Sequence, residues 1–115
     1  KSILDIAKEL QELAEKARQR TLDLNDMRGG TFSITNYGSI GGLFATPIIN
    51  YPESAILGVG RIYDKALVVK GRVEARKTMP LSFVFDHRIV DGAYAARFLN
   101  AVITNLQDPK KIMQI

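Results

Sequence analysis

The 115 residues of this chain include no cysteine, no tryptophan and a single histidine, His87. Without cysteine there is no disulfide framework, no thiolate zinc site and no cysteine nucleophile, and an intracellular, cytoplasmic location is the expectation. No metal site is expected. The lack of tryptophan and of interleaved aromatic and basic residues argues against nucleic acid as a partner, although the formal charge is +4. Lys65, Lys70, Arg72, Arg76 and Lys77 gather around one predicted hairpin, where a solvated face or a phosphate-bearing small ligand accounts for them. Long apolar runs are missing too: none approaches the roughly 20 residues that span a bilayer. Lys1 opens directly onto a helical pattern, so neither a membrane segment nor an export signal is expected. What the chain does have is 46% hydrophobic and 24% charged residues, the composition of a soluble domain with a core.

Those residues are patterned. Ser2 and Asp5 have the spacing of a helix-start cap, and Ile3, Ile6, Leu10, Leu13 and Ala17 then recur three and four apart, predicting an amphipathic helix over 3–19. Glu12 and Lys16 stand one turn apart on its polar side, a pair adding only about 0.2–0.5 kcal/mol, so the apolar stripe needs a packing partner. Gly29-Gly30 marks a turn before residues 31–37. There Phe32 and Ile34 alternate with Thr31, Ser33 and Thr35, predicting a strand with a hydroxyl-bearing face. A flexible loop over 38–42 and an irregular stretch from Thr46-Pro47 to Tyr51-Pro52 lead to a second strand over 55–62. Residues 67–74 read as a hairpin turning at Lys70-Gly71, with a return strand that runs to Arg88 and breaks at Pro80. Ala95, Leu99, Val102, Ile103 and Leu106 predict a helix of about four turns ending before Asp108-Pro109. Helix, strands, helix in that order predicts an α+β fold, a mixed β-sheet with helices packed on one face.

The lone histidine falls where the last strand stops, in Phe85-Asp86-His87-Arg88-Ile89-Val90-Asp91-Gly92. Alternation places Leu81, Phe83, Phe85 and His87 on one face, and Ser82, Val84, Asp86 and Arg88 on the other. His87 is therefore expected in a partly dry setting, where a neutral imidazole can accept a proton, with Asp86 pointing away from it. On spacing alone, a structural histidine and a catalytic base both stay open. Asp91-Gly92 reads equally as a helix N-cap and its turn. Ser33 and Thr35 fit as ordinary strand residues, although a hydroxyl aimed into a cleft can donate to an oxyanion. The loop over 38–42 has neither the lysine of a Walker A loop nor G-x-G-x-x-G spacing, and reads as a turn allowing close approach.

Taken in order, these segments resemble the second half of the catalytic domain of the dihydrolipoamide acyltransferases, the E2 components of 2-oxo acid dehydrogenase complexes. The resemblance rests on Asp26-Met27-Arg28-Gly29-Gly30-Thr31-Phe32-Ser33-Ile34-Thr35-Asn36-Tyr37-Gly38, Gly41-Gly42, Thr46-Pro47-Ile48-Ile49-Asn50, Glu53-Ser54-Ala55-Ile56-Leu57-Gly58-Val59-Gly60, and D-H-R-x-x-D-G-A from Asp86 to Ala93. It implies a chloramphenicol acetyltransferase-like fold, present here as a partial domain. The implied reaction moves an acyl group between the thiols of dihydrolipoamide and coenzyme A through a tetrahedral oxyanion. His87 is then the general base, Thr35 the oxyanion donor, and Asp91 the carboxylate that holds the site together. Phe44, Pro47, Gly41 and Gly42 are looser substrate-binding candidates. The resemblance further implies a homotrimer in which histidine and hydroxyl come from neighbouring chains, and trimers that build a cubic or dodecahedral core. The apolar segment Ile112-Met113-Gln114-Ile115 is a candidate inter-trimer contact. Coenzyme A as substrate, a lipoyl group on a separate domain, E1 and E3 components as partners, and the mitochondrial matrix as the eukaryotic location complete what it implies.

The family's lipoyl domain, peripheral-subunit-binding domain and first half of the catalytic domain have no counterpart in residues 1–115. The chain is therefore expected to encode acyltransferase machinery yet to be poorly active by itself. Two rival readings stand beside this one. A chloramphenicol-type O-acetyltransferase shares the base, but Gly29-Gly30-Thr31-Phe32 and Thr46-Pro47 speak against it. A non-catalytic scaffold would use the fold only to organise partners.

Overall fold

A computed structural model describes residues 1–113, the side chains of residues 109 and 111 aside. The chain divides into two compact bodies: Lys1–Gly30 with the segment from Ala93 onward, and Thr31–Gly92. In the first, helix α1 (Ile3–Gln19) starts where the cap predicts. Ser2 Oγ accepts the Asp5 N–H at 3.1 Å, and the Asp5 carboxylate accepts the Ser2 N–H at 3.2 Å. The Ser2 hydroxyl first, then its backbone N–H, hold the Asp5 carboxyl below its ordinary range. Arg20, in the left-handed region at φ 57°, closes the other end by donating its N–H to Ala17. The apolar stripe is uncovered, with Ile3, Ile6 and Leu10 exposed at 41%, 52% and 66%. Lys16 turns toward Asp26, at 3.9 Å, rather than toward Glu12.

Helix α2 (Gly92–Gln107) is followed by the short α3 (Pro109–Met113). Ala95 is buried and Leu99, Val102 and Ile103 are half-buried, the stripe that the spacing predicts, while Leu106 is exposed. Gln114 and Ile115 of the candidate inter-trimer segment lie outside the described residues. Among those described, no helix is long and apolar enough to cross a membrane.

The second body holds the strands. β1 (Ser33–Asn36) runs parallel to β2 (Ala55–Val59), which runs antiparallel to β5 (Leu81–Phe85). Together they make a three-stranded mixed sheet with β2 in the centre. β3 (Tyr63–Val69) and β4 (Arg72–Thr78) form a separate two-stranded ladder. Its turn falls at Lys70-Gly71 as predicted, with φ 50° and 78°, the paired left-handed residues of a tight hairpin. The strand predicted over 55–62 ends at Val59, and the predicted return strand is two strands in different sheets. Pro80 is buried and has no N–H to extend a ladder; its carbonyl instead accepts the Gly60 N–H at 2.9 Å. The chain thus leaves the hairpin and enters the mixed sheet. Two small sheets and helices make a mixed α+β fold in place of the single sheet expected.

Ala55, Ile56 and Leu57 are exposed at 4%, 7% and 7%, because β2 is flanked on both edges. At Gly58 the strand admits the Tyr37 ring. A Cβ there would stand 2.7 Å from Tyr37 Cε1, closer than packing tolerates. The Tyr37 hydroxyl then donates to Ser82 Oγ at 2.8 Å, tying the residue after β1 to β5 across the central strand.

Candidate functional site

The two faces of the mixed sheet carry different chemistry. Register pairs Thr35 with Gly58 and Gly58 with Ser82, so Thr35 shares the face on which Tyr37 lies. The opposite face carries an aromatic row. Phe32 stacks on Phe83 at 6.2 Å between ring centroids, Phe83 meets Phe85 at 5.7 Å, and His87 continues the row 5.7 Å from Phe85. Within one chain, therefore, the Thr35 hydroxyl and the His87 imidazole belong to opposite faces. The burial of β1 reverses expectation as well: Ser33 and Thr35 are half-buried while Ile34 is 70% exposed.

His87 lies on the predicted face, but it is exposed rather than in a partly dry setting. The strand ends at Phe85, and Asp86 turns the chain at once. The Asp86 carbonyl accepts the N–H groups of Ile89 and Val90 at 3.0 and 2.9 Å. Its carboxylate accepts the Arg88 N–H at 2.9 Å and grips the guanidinium through Nε at 3.0 Å and Nη2 at 2.6 Å. Those side-chain bonds first, and then the backbone bond, hold the Asp86 carboxyl down at about 2. Asp86 is accordingly turned away from His87, as alternation predicts, and shapes the loop that carries it. Asp91 is exposed and immediately precedes α2, the position of an N-cap.

The looser candidates sit in the loop after β1. Gly41 and Gly42 donate their N–H groups to Gly38 and Tyr37 carbonyls, each at 3.0 Å, and the Gly42 carbonyl accepts from Arg61 at 2.8 Å. Both N–H groups are thus committed within the loop, which disfavours a phosphate cradle. Phe44 is 71% exposed and Pro47 half-buried. Beside the end of β1 lies a cleft of about 230 Å³ lined in part by Asn36, Ser39, Arg61 and Met79. On the basic hairpin, Arg76 pairs with Glu74 and Lys77 with Asp64, at 2.6 and 2.9 Å. Two of its five cations are therefore offset locally.

Three residues have structural roles that their pattern in the sequence did not assign. Asp86 is signalled by the two-residue spacing to Arg88 that an aspartate-centred turn uses. Tyr37 is signalled by a glycine within strand β2. Glu53 has no local signal: it is 9% exposed, its Oε1 accepts from Asn50 Nδ2 at 3.1 Å, and its buried Oε2 has no hydrogen-bond partner among the described residues.

Residues 1–114 match the family of 2-oxoacid dehydrogenases acyltransferase (catalytic domain). The mouse dihydrolipoyllysine-residue succinyltransferase component of the mitochondrial 2-oxoglutarate dehydrogenase complex is 46% identical over 109 residues, covering 95% of this chain and 24% of that protein. The Bacillus subtilis dihydrolipoyllysine-residue acetyltransferase component of the pyruvate dehydrogenase complex is 47% identical over 113 residues, or 98% and 26%. A crystallographic and enzymatic study of Azotobacter vinelandii dihydrolipoamide acetyltransferase, concerned with a serine, a histidine and an asparagine in its catalytic mechanism, provides a similar structure. Its TM-score is 0.91 at 45% identity, covering 98% of this chain and 46% of that one. The cubic core of a pyruvate dehydrogenase multienzyme complex gives 0.92 at 43% identity with the same coverage. The chain thus spans about a quarter of the curated relatives it matches and under half of the solved chains.

Proposed function

Because the chain belongs to the family of 2-oxoacid dehydrogenase acyltransferase catalytic domains, we propose that it supplies the second half of a domain moving acyl groups between dihydrolipoamide and coenzyme A. The observation that carries this reading is the separation of Thr35 and His87 onto opposite faces of one sheet. A base and an oxyanion donor serving one reacting carbon must converge on it. Two residues so placed converge when each meets its complement on a neighbouring copy, which favours a homotrimer with sites between subunits. The serine, histidine and asparagine of the Azotobacter protein stand at the same sequence spacings as Thr35, His87 and Asp91 here. Threonine keeps the hydroxyl donor, and aspartate keeps an oxygen acceptor while adding a charge.

His87 takes the proton of the attacking thiol, whose ordinary pKa of about 8.5 leaves it mostly protonated at neutral pH. The thiolate sulfur adds to the thioester carbonyl carbon, and the carbonyl π pair moves onto oxygen. Thr35 of a neighbouring chain donates its hydroxyl to that oxyanion. When the C=O re-forms, the bond to the departing sulfur breaks and the imidazolium returns the proton to it. Asp91 organises the site, and Phe44, Pro47, Gly41 and Gly42 border the channel.

The remaining half of the domain completes a chloramphenicol acetyltransferase-like sheet with helices on one face. Coenzyme A acts as a substrate, and the lipoyl group arrives on a separate domain. Trimers assemble into a cubic or dodecahedral core that E1 and E3 components join, in the cytoplasm or the mitochondrial matrix. The test is acyl transfer from acyl-CoA to dihydrolipoamide by the full-length protein. His87→Ala is expected to lower kcat by about 10²- to 10⁴-fold; unchanged turnover sinks the reading and favours a scaffold.

A further inference from the structure

We propose that Glu53 is a positioning residue for His87, its Oε2 accepting a ring N–H of the imidazole. The inference rests on the reading of His87 as the base. The β2–β5 ladder ends at the pair Ala55–Phe85, and one more bond follows, from the Asp86 N–H to the Ser54 carbonyl at 2.8 Å. Glu53 and His87 are the residues just beyond that bond, outside both strands, so they flank the same end of the ladder. The His87 ring lies on the aromatic face, against Phe85.

The carboxylate is prepared for a donor that it lacks. The Glu53 N–H donates to the Asn50 carbonyl at 2.8 Å, and Asn50 Nδ2 occupies Oε1 at 3.1 Å, which fixes both ends of the residue. Oε2 is shut from water with no donor among the described residues. A carboxylate oxygen so enclosed is unfavourable until an N–H or O–H reaches it. Arg88 is turned to Asp86, which accepts from its Nε and Nη2. His87 can supply that donor: it makes no hydrogen bond among the described residues, and its exposure leaves the ring free to rotate toward the ladder end. A carboxylate on one ring nitrogen fixes the tautomer and the plane of the imidazole, so that the other nitrogen faces the thiol.

The test uses the full-length assembled protein, with kcat and KM for both thiols and the rate at which diethyl pyrocarbonate modifies His87, read from its peptide mass. Glu53→Leu is expected to lower kcat by about 10- to 100-fold, as loss of an orienting partner does elsewhere, with both KM values within about twofold, and to slow His87 modification. Glu53→Gln is expected to fall between, since its one carbonyl oxygen cannot serve both Asn50 and the imidazole. Wild-type labelling and kcat in Glu53→Leu overturn the inference. So does loss of assembly with kcat per intact core unchanged. If Glu53→Leu does not assemble, the labelling rate and kcat of Glu53→Gln decide alone. Full turnover by His87→Ala would instead refute the base itself, whatever the labelling of Glu53 variants shows.

Discussion

Asp86 shows how one side chain shapes the loop that carries the proposed base. Its carboxyl, held at about 2 by Arg88, has a lowered folded-state value. The bonds it makes are therefore fully present above the ordinary carboxylate range and are lost as pH falls from about 4 through about 2. Acid inactivation of the full-length enzyme should contain a component in that window, and Asp86→Asn should lack it while showing a severalfold lower kcat at neutral pH. An identical acid profile in the variant would count against this role. Thr35, His87 and Asp91 became candidates through the family resemblance, because their spacing alone left a strand residue, a structural histidine and an N-cap equally open. The exposure of His87 was not legible, because strand alternation assigns a face without saying whether anything covers it. The turn that Asp86 builds was equally hidden: alternation gave its direction correctly but said nothing of the chain reversal that follows.

At the scale of elements, the β3–β4 hairpin was legible down to its turn, since Lys70-Gly71 sits between two alternating runs and a two-residue loop demands left-handed backbone. Gly71, at φ 78°, meets that demand without strain. Gly71→Ala should destabilise the full-length protein by about 1 kcal/mol or more, read as a lower midpoint in urea. Lys70→Gly relieves left-handed strain of about 1–2 kcal/mol at φ 50° against about 0.4–1 kcal/mol of added unfolded-state freedom, so it should raise that midpoint slightly. Helix α1 was legible through its cap and spacing. The separation of β4 from β5 was only half visible: Pro80 announced a break, but which sheet the next strand would join depends on the long-range pairing with β2. Local pattern carries no information about a partner so distant in sequence.

For the chain as a whole, composition promised a larger core than the described residues build: the buried hydrophobic residues among them are Ala55, Ile56, Leu57 and Ala95. Ile3, Ile6, Leu10, Ile34, Phe44 and Ile48 are among the large apolar side chains left in solvent. Their alternation and helical spacing were readable; their exposure was not, because pattern gives a face and never its occupant. Expressed alone, the 115-residue segment is expected to bind the dye ANS and to show no measurable acyl transfer. Dye-free, active material would contradict this. The opposed placement of Thr35 and His87 has a genetic meaning as well. In the proposed trimer, subunits bearing Thr35→Ala and subunits bearing His87→Ala, each inactive alone, should complement when co-assembled, because some interfaces then pair an intact histidine with an intact threonine. Random mixing makes about one interface in four whole, so activity should rise from near nothing toward a quarter of the wild-type value. Two broken copies of the gene would together do what neither does apart.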